Sequence, residues 1–268
     1  RSDFSFLNDK CIHPHTIRLL VQRFPKGHMA RRSRVDHFGA SVAGPAHQAL
    51  RKPNEDQWLG ASGAFGSLVV VSDGLGSKDR ARHGATKACI ATLRAVRAWH
   101  KDGTGSLDDL VDRIEPLWLE EIAPFDRSDC AATCLLALAH HDGRTYVAAL
   151  GDGMAAVRRR GAIERVEHPR ASGFSNETQS LGSGGVWAKR CFECSEIDIA
   201  VLASDGVSDD LRPDRLADFV AWLKDEIATL QPVARWRLLR RELNEWPTPR
   251  HLDDKTIAVL AWPNGESA

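Results

Sequence analysis

Ser67-Leu68-Val69-Val70-Val71-Ser72-Asp73-Gly74 is a short apolar run, rich in β-branched residues, that stops on a carboxylate and a glycine. β-Branched side chains suit a pleated, buried surface. A run of this length bounded by turn residues predicts a buried strand that delivers Asp73 to its end. The pattern recurs along the chain. Val147 to Leu150 runs into Gly151-Asp152-Gly153, and Val201 to Ala203 runs into Ser204-Asp205-Gly206. Asp253 precedes a closing run, Thr256 to Ala261, and Asp56 stands just ahead of Trp58-Leu59. Carboxylates gathered at one edge of two sheets would suit hard divalent cations, which take oxygen ligands. Each Asp-Gly alone is equally an ordinary hairpin turn, so the weight lies on the ordered set.

Outward from these runs, Val35 to Ala43 alternates loosely and ends in Gly44-Pro45, predicting a strand that enters a turn. Residues 81–99 and 107–122 carry apolar side chains at helical spacing and predict two adjacent helices. Ala131 to Ala139, Thr145 to Leu150, Met154 to Arg158 and Ile163 to Val166 are short runs separated by Asp142-Gly143, Gly151-Asp152-Gly153 and Arg160-Gly161. That punctuation predicts an antiparallel meander. The polar stretch 168–185 reads as a long loop, a flap over a site. Ile197 to Ala203 is a further strand, and 213–226 and 232–245 read as helices. Runs of strands followed by runs of helices favour an α+β class over a doubly wound parallel sheet. The expectation is a four-layer α-β-β-α sandwich with two central, mainly antiparallel sheets.

The length of 268 residues fits one catalytic domain, placed at 36–264. Residues 1–35 read as an N-terminal arm, partly a tag or cloning remnant around Gly27-His28-Met29; His13 and His15 within it are assigned no function. Lys plus Arg equals Asp plus Glu at 36 each, which gives nucleic-acid binding no support from charge. No apolar run reaches the roughly 20 residues of a membrane span, and the protein is expected to be soluble and cytoplasmic. Cys11, Cys89, Cys130, Cys134, Cys191 and Cys194 are expected to be reduced thiols. Cys191-Phe192-Glu193-Cys194 has zinc-ligand spacing and would pair with Cys130 and Cys134, but turn residues surround neither pair.

A P-loop, a Gly-x-Ser-x-Gly nucleophile elbow and an Asp-x-Asp nucleophile motif are all missing from the sequence. Instead, the ordered motifs resemble those of the metal-dependent serine/threonine protein phosphatases of type 2C, in their bacterial form. Arg51-Lys52-Pro53-Asn54-Glu55-Asp56 resembles the family's opening motif, and Val71-Ser72-Asp73-Gly74-Leu75-Gly76 resembles its Asp-Gly strand end. Gly84-Ala85, Ala131-Ala132-Thr133, Gly151-Asp152-Gly153, Ala203 to Asp209 and Asp253-Asp254-Lys255-Thr256 follow in the family's order.

The resemblance implies hydrolysis of phosphoserine and phosphothreonine by direct attack of a water held between two Mg²⁺ or Mn²⁺ ions. It implies that Asp73 bridges the ions, with the Gly74 carbonyl on one and Asp205 and Asp253 on the other. Asp56 and Glu55 then act through water, and Asp152, Asp205 and Asp209 form a third, weaker ion position. Arg51 is implied to grip the substrate phosphate, with His47 sharing that role. The expected partner is a phosphoprotein, a protein kinase or a kinase target. Leu75 stands where many members carry a histidine that protonates the leaving oxygen, and His83 is a weak substitute. A binding module that has lost catalysis is the main alternative. Loss of an aspartate would mark it, and Asp73, Asp205 and Asp253 are all present.

Overall fold

The strand runs lack polar alternation because both faces of each sheet are covered. The computed structural model describes residues 35–103, 105–167, 179–247 and 251–263. The arm 1–34, with Cys11, His13 and His15, lies outside the described residues, as does 168–178 of the expected flap.

Strand β1 (Asp36–Val42) leads into a six-residue helix α1 (Pro45–Leu50) that the sequence reading missed. None of the α1 residues is buried, so no apolar stripe announces it. β2 (Asp56–Gly63) and β3 (Gly66–Asp73) form a hairpin, and β2 opens on Asp56 itself. Helix α2 (Ala81–Lys101) follows as predicted. Its buried face includes Ala81, Gly84, Ala85, Ala88, Ala91 and Ala95, whose small side chains let the helix lie close on the sheet.

The single helix expected over 107–122 is two, α3 (Leu107–Val111) and α4 (Ile114–Ile122). Pro116 explains the break: its ring has no N–H to donate and clashes with the carbonyl four residues back. In the first turn of a new helix the missing N–H costs nothing. β4 (Cys134–His140) and β5 (Arg144–Leu150) pair through the Asp142-Gly143 turn. β6 (Met154–Arg159) and β7 (Ala162–Arg165) pair through Arg160-Gly161, both of which have positive φ as a tight hairpin requires. Gly151-Asp152-Gly153, however, is no hairpin within one sheet. It carries the chain from one sheet to the other, so the expected meander is two hairpins in different sheets.

β8 (Ala188–Glu193) was also missed; it is an edge strand with mostly exposed residues beside β5. β9 (Ile197–Ala203) precedes a short helix α5 (Asp205–Ser208). The helix expected over 213–226 is a 3-10 turn, α6 (Leu216–Trp222) and a π-turn through Ile227. α7 (Pro232–Asn244) and β10 (Lys255–Ala261) complete the fold.

Two five-stranded antiparallel sheets result, in the orders β1-β10-β9-β6-β7 and β2-β3-β4-β5-β8. Three apolar layers glue them together. Val69, Val71, Leu135 and Val147 of one sheet meet Ala155, Ala200, Leu202 and Leu260 of the other. Leu68, Val70 and Leu136 pack under α2, α3 and α4 with Trp99 and Trp118. Ile199, Val201 and Val259 pack under α6 and α7 with Phe219 and Leu239. The class is therefore α+β with the expected α-β-β-α layering.

Three of the described cysteines behave as apolar filler, while Cys191 is exposed and Cys194 part-buried. Cys89, Cys130 and Cys134 are buried in the layer beneath α2, and no described cysteine is disulfide-bonded. Among the described residues, no group of three or more clustered metal-ligating side chains includes a cysteine. No helix among the described residues is long and apolar enough to cross a membrane.

Candidate active site

The antiparallel register brings the motif-bearing strand ends to one edge of the sandwich. Asp56 at the start of β2 is the cross-strand partner of Asp73 at the end of β3. Ala203 at the end of β9 pairs with Met154 at the start of β6 and with Ile257 of β10. The turn holding Asp152, the head of α5 with Asp205, and Asp253 just before β10 therefore converge. Asp73, Asp152, Asp205 and Asp253 line one open cleft of about 560 Å³, of a size that takes a small polar ligand.

Backbone packing fixes these carboxylates tightly. Thr133 explains its place in the Ala-Ala-Thr motif: its Oγ1 accepts from the Asp73 amide at 2.9 Å, while its own amide donates to the Asp73 carbonyl at 2.8 Å. Gly74 has no room for a side chain, since a Cβ there would lie 2.3 Å from the Ala81 carbonyl oxygen. Ser204 Oγ donates to Asp56 Oδ2 at 2.7 Å and accepts from the Thr256 amide. Asn54 anchors the start of β2 by accepting from the Asp56 amide and donating to Ser41 Oγ.

The electrostatics of the cluster are unfavourable by themselves. Burial pushes Asp56 up to about 7, against the hydrogen bonds from Ser204 and Thr256. Asp73 is raised well above the usual carboxylate range by burial, with Asp56 and Asp205 crowding it on both sides. Burial and then Asp152 raise Asp205, and burial raises Glu55. Asp56 Oδ1 and Glu55 Oε2 are buried with no hydrogen-bond partner. Orphaned buried carboxylate oxygens are costly. Unpartnered carboxylate oxygens beside a cleft lined by four aspartates suit divalent cations with oxygen ligands, so these residues fit the ions that the motifs imply.

The remaining expected residues fall as follows. His47 sits on α1, where its Nδ1 meets Asp254 Oδ2 at 2.8 Å and its Nε2 lies 3.7 Å from Glu55 Oε2. Arg51 ends α1 with φ 53°, a left-handed backbone that a side chain rarely adopts, and is exposed. It is not among the residues lining the cleft. Asp209 closes α5 as its C-terminal cap residue. His83 is turned away, packed edge-on to Phe125 with ring centroids 5.2 Å apart, and burial lowers its pKa. Of the expected flap, Ser180, Gly182 and Ser183 line the cleft.

Four further residues of the site were given no role by the sequence, although Asp254 and Lys255 stand in its closing motif. Asp254 is buried and accepts from the Gly44 amide at 2.8 Å, the Glu55 amide at 2.5 Å and His47, tying three separate segments together. Lys255 is also buried; it donates to the Asp253 carbonyl at 3.0 Å and sets a positive charge behind the acids. Arg127 and Lys78 line the cleft from the turns beside α4 and ahead of α2.

A family profile described as protein phosphatase 2C matches residues 43–246. Among solved structures, a serine/threonine phosphatase from Staphylococcus aureus is 15% identical with a TM-score of 0.63, covering 90% of this chain and 100% of that one. A PPM Ser-Thr phosphatase from Mycobacterium smegmatis, in complex with cacodylate, is 19% identical with a TM-score of 0.59, covering 86% and 100%. A C. elegans sex determining protein is 16% identical with a TM-score of 0.62, covering 85% of this chain and 65% of that one. At these identities the likeness is one of fold. The chain has no significant match among curated protein sequences.

Proposed function

Because the chain belongs to the protein phosphatase 2C family, we propose that it is a metal-dependent phosphatase that releases phosphate from phosphoserine and phosphothreonine in a protein. The observation that carries this reading is the facing pair of buried Asp56 and part-buried Asp73 with Asp205 alongside, all raised by desolvation and crowding. Asp73, the Gly74 carbonyl, Asp205 and Asp253 would hold two Mg²⁺ or Mn²⁺ ions, with Glu55 and Asp56 acting through water. Asp152, Asp205 and Asp209 would hold a third. Such ions, when bound, lower the pKa of coordinated water and neutralise charge on phosphoryl oxygens.

The chain's own groups position the substrate. Arg127 and Lys78 put positive charge into the cleft for the phosphate, and Arg51 is the second candidate for that grip. Asp254 orients His47 through Nδ1, leaving Nε2 towards Glu55. Leu75 offers no proton to a leaving oxygen, so the departing serine or threonine takes its proton from water in the open cleft. Direct hydrolysis of this kind needs no side-chain nucleophile. A protein kinase or a kinase target in the cytoplasm is the proposed substrate.

The test is phosphate release from a phosphothreonine peptide by the full chain. Turnover should require Mn²⁺ or Mg²⁺ and stop on chelation, and full turnover in excess chelator would overturn the reading.

A further inference from the structure

His251 stands two residues ahead of Asp253, and the motif reading gave it no role. Its Nε2 lies 3.6 Å from a carboxylate oxygen of Asp205 and 3.9 Å from one of Asp209. One ligand atom each from Asp205, His251 and Asp253 lies within 4.8 Å of the others. We propose that His251 Nε2 is a direct nitrogen ligand at this position, which becomes a mixed imidazole and carboxylate site selective for Mn²⁺ over Mg²⁺. The proposal rests on the divalent-ion reading above.

The geometry separates a ligand from a simple counter-charge. A histidine that pairs with a carboxylate closes to hydrogen-bond distance, as His47 Nδ1 does with Asp254 at 2.8 Å. His251 faces two carboxylates but stays beyond hydrogen-bond range of both. Its Nδ1 is buried without a hydrogen-bond partner, so no hydrogen bond at that nitrogen accounts for the ring's orientation. Three donors of two kinds that converge without bonding one another are arranged for an ion between them. Mg²⁺ favours oxygen ligands and gains little from a ring nitrogen, whereas first-row transition ions accept imidazole readily. One nitrogen among the oxygens therefore shifts preference without closing the site to Mg²⁺.

The test is electron spin echo envelope modulation of Mn²⁺ bound to the full chain, with equilibrium dialysis of Mn²⁺ and of Mg²⁺. The expected spectrum carries ¹⁴N modulation that His251→Gln removes and His47→Gln retains. In dialysis, His251→Gln should weaken one Mn²⁺ by about tenfold and Mg²⁺ by less than about twofold. Bound Mn²⁺ without ¹⁴N modulation overturns the inference and leaves the metal reading standing. Modulation that survives His251→Gln also overturns it. Absence of any Mn²⁺ binding overturns both. A wild-type spectrum without modulation is enough to overturn the inference, so that outcome does not depend on a variant folding.

Discussion

Asp56 and Asp73 oppose each other across an antiparallel pair, where like charges destabilise a sheet. In the metal-free protein the cost takes the form of protonation. Asp56 rises from 3.8 to about 7 on folding because it is buried. A carboxyl whose folded pKa is raised contributes stability that is fully present below its unfolded pKa and is lost as pH climbs through the folded one. The thermal midpoint in chelator should therefore fall between about pH 4 and pH 7, and Mn²⁺ should restore it. Asp56→Asn should flatten that fall, and an unchanged slope would count against the assignment. Two arginines are candidates for the phosphate. Arg51 holds a left-handed backbone that costs roughly 1 kcal/mol, so Arg51→Gly should stabilise the chain by about that amount. If Arg51 grips phosphate, the same change raises KM for a phosphopeptide. If Arg127→Ala raises KM and Arg51→Gly does not, the cleft-lining arginine holds the phosphate. Asp73, Asp152, Asp205 and Asp253 were legible because each ends or precedes an apolar strand. His251, Lys78 and Arg127 were not, and Asp254 was legible as a motif member without its role, because what defines them is a contact with segments distant in sequence. Asp254, for example, meets Gly44 from 210 residues away.

Helix α4 does more than cover a sheet. Glu115 Oε1 accepts from the Gly182 amide at 2.8 Å, and the Trp118 ring lies against Gly182, leaving 3.2 Å for a Cβ there. Together they seat the turn at 180–183, which forms one wall of the cleft. Glu115→Ala should remove that seat, a single hydrogen bond to a charged acceptor worth about 1.5–3 kcal/mol. The expected result is a higher KM for a phosphopeptide with metal affinity unchanged, and an unaltered KM would refute the link. Elements with strong periodicity, such as α2 and β3, were legible as such. α1 and β8 were not, because a helix with no buried residue and an edge strand with a mostly exposed sequence lack the patterning that apolar burial imposes. The break between α3 and α4 was written in Pro116, which the helical spacing around it concealed.

At the scale of the whole molecule, two sheets pressed face to face bring strand ends from chain positions 56 to 253 to one edge. The layering was legible because runs of strands followed by runs of helices favour packed sheets with helices outside them. The passage between sheets at Gly151-Asp152-Gly153 was not, since a Gly-Asp-Gly turn reads the same whether the next strand stays in its sheet or leaves it. That passage sets Asp152 among carboxylates from both sheets, where the ions proposed for hydrolysis would be held. Asp73 sits at the middle of this convergence, so the most direct measurement is Mn²⁺ stoichiometry together with phosphopeptide turnover in wild type and Asp73→Asn. Asparagine keeps the shape and removes the charge, so a metal-holding role for Asp73 predicts a native circular dichroism spectrum, loss of bound Mn²⁺ and turnover lower by about 100-fold or more. Near wild-type turnover with the wild-type number of bound ions would contradict it.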